Sequence, residues 1–196
     1  MACLPPGCDT TAVQEKDPAT PQIIFLIGYR ATGKSTVGRL VASRLGADFL
    51  DTDQAIEARI GMTIAELFEK EGEPRFRDLE GEALEAVAKV EKPTVVGTGG
   101  GMIIRPAHAD RMRELGRVIW LSATAATIRA RLAGDESTAT SRPSLTGASA
   151  IDEVDAVLTE RTPIYRKASE IEVPVDPPRT PDEIADEVVD WLGKNT

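Results

Sequence analysis

The chain has 196 residues and a formal net charge of -9, enough length to bury a core within one domain. The acidic balance argues against a nucleic-acid or acidic-membrane surface, while an anionic small ligand is decided by the local field. Cys3 and Cys8 stand together near the start and support neither a disulfide framework nor a zinc site; no apolar run reaches the roughly 20 residues of a membrane span, and the first residues lack a signal-peptide core. A cytoplasmic, monomeric protein is expected, without nucleic-acid or membrane partners. Residues 1–21 read as a disordered extension and 22–196 as a single domain.

In chain order, the first element is the apolar run Ile23-Ile24-Phe25-Leu26-Ile27, which suits a central strand covered on both faces. A glycine-rich turn follows. Lys34 to Leu45 then carries Val37, Leu40, Val41 and Leu45 at helical spacing, closed by Gly46 as a C-terminal glycine. Asp48-Phe49-Leu50 reads as a second strand, ending at Asp51. In the helical stretch that comes next, Thr63 and Glu66 form a capping-box pattern ahead of Leu67 and Phe68. A longer helix is expected from Glu73-Pro74, with Phe76, Leu79, Ala83, Val87 and Val90 as its buried stripe.

Thr94 to Gly97 and Val118 to Leu121 read as the third and fourth strands, and a helix is expected from about Thr124 to Leu132. The stretch Gly134 to Ser149, rich in Gly, Ser, Thr and Ala, reads as a mobile loop. A helix over roughly Ile151 to Ala168 precedes a fifth strand, Ile171 to Val175, where Pro174 predicts an edge position. The last helix runs from about Pro181 to Leu192. The single histidine, His108, is read as a surface residue, and Trp120 and Trp191 as core. Alternation of strands and helices predicts a parallel sheet wrapped by helices.

Five groups of residues carry chemistry. Gly28-Tyr29-Arg30-Ala31-Thr32-Gly33-Lys34-Ser35 matches the P-loop pattern between a buried strand and a helix. Its backbone N–H groups and the helix N-terminus suit phosphate, Lys34 suits the β- and γ-phosphates, and the Ser35 hydroxyl suits magnesium. Asp51-Thr52-Asp53 falls at a strand's C-terminal end, where open parallel sheets bind ligands; one carboxylate there suits the metal and the other a substrate hydroxyl's proton. Arg77 and Arg161 read either as carboxylate clamps or as ion-paired arginines, with Glu80 a candidate partner for Arg77. Gly99-Gly100-Gly101 permits close backbone approach after the third strand. Arg142, in the glycine- and serine-rich loop, suits a lid that closes over phosphates.

Together with Gly72-Glu73-Pro74-Arg75-Phe76-Arg77, Arg142-Pro143 and Arg161-Thr162-Pro163-Ile164-Tyr165, these groups resemble the shikimate kinase family from Ile23 to the last helix. The resemblance implies a three-layer α/β/α P-loop kinase fold with a five-stranded parallel sheet, a substrate-binding helical region and a lid. It implies transfer of the ATP γ-phosphate to the 3-hydroxyl of shikimate, with Mg2+. By that resemblance Asp53 holds the shikimate hydroxyls and is the catalytic carboxylate, and Arg77, Arg161, Gly99, Gly100 and Gly101 bind the acid. Lys34 and Arg142 stabilise the moving phosphoryl group, and Ser35 and Asp51 hold the metal. Gly28, Arg30, Ala31, Thr32, Gly33, Lys34, Ser35, Thr36, Arg142 and Arg179 contact ATP, with Arg131 a further match on the adenine side. The alternatives are a gluconate-type sugar-acid kinase and a non-catalytic nucleotide-binding module.

Overall fold

A computed structural model describes residues 23–134 and 151–195. The expected extension, residues 1–21, lies outside the described residues, as do residues 135–149 of the expected lid with Arg142.

The first strand, β1 (Ile23–Ile27), is buried along its whole length, which is why its sequence is apolar without interruption. Alternate side chains leave a strand on opposite faces, and each face of β1 meets its own core. Phe25 and Ile27 pack with Val96, Met112, Trp120 and Tyr165 on one side. Ile24 and Leu26 pack with Val37, Val41, Val188 and Leu192 on the other. β1 lies at the centre of a five-stranded sheet ordered β2-β3-β1-β4-β5, where β2 is Asp48–Asp51, β3 Thr94–Gly97, β4 Arg117–Ser122 and β5 Ile171–Pro174. Every pairing is parallel.

Seven α-helices are described: α1 (Lys34–Leu45), α2 (Thr52–Ile60), α3 (Ile64–Val87), α4 (Pro106–Leu115), α5 (Ala125–Ala133), α6 (Val154–Ala168) and α7 (Pro181–Lys194). Helices on both faces of the sheet make the three-layer α/β/α arrangement. The expected capping box holds at Thr63 and Glu66, and a second forms at Thr180 and Glu183. The two helices expected on either side of Gly72 are both present, as two segments of α3 separated by a break at Gly72, whose φ of 79° and ψ of 173° are not helical. β5 is the edge strand that Pro174 predicted, one residue shorter than expected, and α6 begins at Val154 rather than Ile151.

His108 corrects the sequence reading. It is 8% exposed, because α4 packs against α3 at Gly81, where a Cβ would lie 3.2 Å from His108 Nε2. Its Nδ1 donates to the Met102 carbonyl at 3.1 Å. Trp120 is core as expected. Trp191 is half-buried beneath the Arg117 guanidinium, 4.6 Å from its ring centroid.

The order of strands positions the site. The chain leaves β1 toward β2 and β3 on one side, then crosses to β4 and β5 on the other. Ligands of open α/β sheets bind outside the strand C-termini at such a switch point. The turns after β1, β2 and β3 therefore converge there, with Asp51 in register with Gly97 and Leu26.

Candidate active site

The P-loop leaves β1 under close constraint. Gly28 has φ +144°, and a Cβ there would lie 2.4 Å from the Leu121 carbonyl oxygen, so no other residue fits. Thr32 Oγ1 donates back to the Tyr29 carbonyl at 2.8 Å, inside the loop. Gly33, with φ 88° and ψ 17°, caps α1 without a side-chain hydrogen bond, and the first turn has no acidic residue. Helices α2, α3, α5 and α7 have a side-chain oxygen on their first N–H groups. The N-terminus of α1, with no side-chain cap and no acidic residue in its first turn, thus presents its positive field to an anion. Lys34 Nζ donates to the Gly28 and Tyr29 carbonyls at 2.9 and 2.7 Å.

Ser35 lies at the start of α1 and Asp51 at the end of β2, and the two meet: Ser35 Oγ donates to Asp51 Oδ2 at 2.7 Å. The other oxygen, Oδ1, accepts the backbone N–H of Asp53 at 3.1 Å and of Gln54 at 3.4 Å, so Asp51 caps α2. Asp53 then falls in the first turn of α2, where the helix field favours a carboxylate. A hydroxyl and a carboxylate offer hard oxygen ligands in the number that suits magnesium, which takes its remaining ligands from phosphate and water. Thr52, between the aspartates, is buried and accepts the Gly99 N–H at 3.0 Å. That bond ties the aspartate turn to the triple glycine, a role sequence pattern alone did not signal.

One cleft of about 380 Å3 is lined by Arg30, Gly33, Lys34, Ser35, Asp53 and Gly100 among others. A second cavity, about 330 Å3, adjoins it across Ala31, Gly33 and Thr36 and is walled by Arg131, Val175, Arg179 and Ile184. The structure thus brings Arg131 and Arg179 to one cavity beside the P-loop. Arg131 Nη1 donates to the Ala31 carbonyl at 3.0 Å and Nη2 to that of Val175 at 2.8 Å. Ala31 has φ 60°, a left-handed conformation that costs a non-glycine residue about 1–2 kcal/mol. Arg131 holds this strained turn in place. Arg179 donates to the Pro174 carbonyl at 2.6 Å and pairs with Glu187.

The two candidate clamps converge on the glycine turn. Arg77 lies so close that a Cβ on Gly101 would come within 2.6 Å of its Nη1. Its Nη1 pairs with Glu80 at 2.8 Å and its Nη2 with Glu73 at 2.7 Å, Glu80 being 0% and Glu73 55% exposed in the side chain. Burial opposes the Arg77 charge, but Glu80 and Glu73 more than offset it and raise its pKa. Burial pushes the Glu80 carboxyl above its ordinary range, against the pull of Arg77. The expected ion pair with Glu80 exists, and Glu73 adds a more exposed, exchangeable one. Arg161, also buried, places Nη1 3.4 Å from the Gly100 carbonyl. Its Nε has no partner among the described residues.

Sequence reasoning also missed an anchor of the P-loop. Arg30 forms an ion pair with Glu153, at the start of α6, with side chains 9% and 0% exposed. The neighbouring Tyr29 packs with Ile128, Leu132, Val154 and Val157. No spacing signals a pair 123 residues apart along the chain.

A parallel sheet carrying a P-loop beside a paired-aspartate turn, with cationic side chains at the facing glycine turn, defines a P-loop kinase of small molecules. A family model described as shikimate kinase matches residues 30–193. A shikimate kinase of Rhodopirellula baltica is 41% identical over 173 residues, covering 88% of this chain and 91% of the relative. The solved structure of shikimate kinase from Acinetobacter baumannii in complex with shikimate superposes with a TM-score of 0.79 at 30% identity, covering 89% of this chain and 94% of that one. A gluconokinase from Sinorhizobium meliloti, at TM-score 0.53 and 17% identity over 90% of this chain and 94% of its own, shares the fold alone. The chain belongs to the shikimate kinase family.

Proposed function

We propose that this chain transfers the γ-phosphate of ATP to the 3-hydroxyl of shikimate, giving shikimate 3-phosphate and ADP. The observation that carries the site assignment is the single cleft in which the P-loop residues Lys34 and Ser35 face Asp53 and Gly100. A nucleotide on the P-loop and a hydroxyl at Asp53 then share one cavity.

Phosphoryl transfer needs positioning and charge stabilisation more than covalent chemistry from the protein. The α1 N-terminus, with Gly28, Arg30, Ala31, Thr32, Gly33 and Thr36, cradles the phosphates, and Lys34 exchanges its carbonyl partners for phosphate oxygens. Arg131 and Arg179 face the adenine. Ser35 and Asp51 would hold Mg2+, which would neutralise phosphate charge when bound. Asp53 orients the acceptor hydroxyl and takes its proton. Arg77 and Arg161 hold the carboxylate, with Gly99, Gly100 and Gly101 close beneath the ring. Glu80 anchors the inner edge of Arg77 from below. Glu73 is exposed, so its bond is weak enough to yield to a substrate carboxylate. Arg142, outside the described residues, is assigned to the transferring phosphoryl group.

The test is ADP release with Mg-ATP and shikimate, set beside gluconate and AMP as acceptors. Turnover with shikimate alone is expected; ATP binding without shikimate turnover would overturn the proposal. Asp53→Asn should keep nucleotide affinity and lose turnover by roughly 10²–10⁴-fold, and near-normal turnover in that variant would remove Asp53 from its role.

A further inference from the structure

Tyr165 is buried on α6 and takes part in no step above. Its hydroxyl donates to the Gly100 carbonyl at 2.5 Å, and its ring stacks on Trp120 with centroids 5.8 Å apart and planes 21° from parallel. The same carbonyl is approached by Arg161 Nη1 at 3.4 Å, the outer limit of a hydrogen bond. The other side of Gly100 abuts the P-loop: a Cβ there would lie 3.3 Å from both the Gly28 carbonyl oxygen and the Arg30 N–H nitrogen. The Gly100 peptide therefore has little room to turn, and its carbonyl faces α6.

We propose that Tyr165 is a positioning residue that keeps Arg161 available to the carboxylate of the acid substrate, by giving the Gly100 carbonyl a strong donor in place of the guanidinium. The inference rests on the reading of the chain as a shikimate kinase. A buried carbonyl left without a donor is costly. With the phenol removed, Arg161 is the donor already placed on that oxygen, and it closes from its long contact to a full bond. A guanidinium committed to Gly100 presents fewer N–H groups to a substrate carboxylate. The Arg161 Nε, buried and without a partner among the described residues, is the donor most affected by such a turn. Nucleotide binding on the far side of Gly100 uses none of these groups.

Tyr165→Phe keeps the ring on Trp120 and deletes only the donor. The KM for shikimate should rise about tenfold, with kcat and the KM for ATP within about twofold of the unsubstituted enzyme. In an Arg161→Ala background the same substitution should leave the KM for shikimate where Arg161→Ala alone puts it, because the two act through one contact. An unchanged KM for shikimate, an equal rise in both KM values, or full additivity of the two substitutions would each overturn the inference. Absence of shikimate turnover in the unsubstituted protein would overturn the functional reading along with it. Turnover with an insensitive variant overturns this inference alone.

Discussion

Gly101 has an ordinary backbone, with φ -104°, so its requirement is one of space. A methyl group there would meet the Arg77 guanidinium at 2.6 and 2.8 Å, and the guanidinium is the part that can move. Gly101→Ala should therefore fold normally and raise the KM for shikimate by about 10–100-fold, the worth of a displaced charge-assisted pair, with the KM for ATP unchanged. A shikimate KM equal to that of the unsubstituted enzyme would show that Arg77 does not hold the acid. His108 makes a second prediction. Burial lowers its pKa, opposed by its hydrogen bond to Met102 and reinforced by Arg105 and Arg77. The folded state therefore binds a proton less readily than the unfolded chain, whose histidine titrates near the ordinary value of about 6.5. Stability from this group is complete above that pH and is lost as the pH falls below it, with a slope of at most about 1.4 kcal/mol per pH unit. His108→Asn keeps a donor for Met102 and cannot titrate, so urea unfolding between pH 7.5 and 5.5 should show a flatter profile. Parallel profiles would contradict it.

The element that most depends on a partner is the P-loop crown. Its Tyr29 is packed under α5 and α6, its Ala31 carbonyl is held by Arg131, and Arg30 is neutralised by Glu153. Removing one member of a buried pair leaves the other charge uncompensated, at about 3–5 kcal/mol. Glu153→Gln should lower the melting temperature by about 6–20 °C and weaken ADP binding. The paired replacement Arg30→Met with Glu153→Leu should recover most of the stability, since an apolar pair of similar volume avoids the stranded charge. A single variant that melts within about 1 °C of the unsubstituted protein would show that the pair carries no net stability. The break at Gly72 works at the same scale: it lets α3 carry two helical segments, one with its own capping box and one that delivers Arg77 and Glu80, with Leu67, Phe76 and Leu79 packed in a common core.

At the scale of the whole molecule, nucleotide and acceptor sites are assigned to neighbouring turns on one edge of the sheet, built from α1, α2, α3 and α6. Ligands that bind the native state alone stabilise it by about 2.7 kcal/mol at a hundred times their Kd. Shikimate and ADP, each at that excess, should each raise the melting temperature by about 5–10 °C, while gluconate at equal concentration should not. A shift with gluconate and none with shikimate would move the acceptor assignment to the sugar acids. Thermal shift needs no turnover, so it separates a defect of binding from a defect of chemistry.

Local chemistry made much of this readable from the residues. The doubly buried β1 shows as an unbroken apolar run, the P-loop as glycines between that run and a helical pattern, the cap at Thr63 as an oxygen before helical spacing, and the edge strand as a proline. Each is a property of a few consecutive residues, set by sterics, hydrogen-bonding capacity and side-chain periodicity. What the tertiary structure alone decided is which distant residues meet. Glu153 reaches Arg30, Tyr165 reaches Gly100, Thr52 reaches Gly99, and His108 is buried because Gly81 lets two helices approach. Nothing in the neighbourhood of Arg77 or Arg161 distinguishes a surface arginine from a clamp. Their burial beside one glycine turn depends on the order in which five strands align, and that order is set by the packing of the whole core.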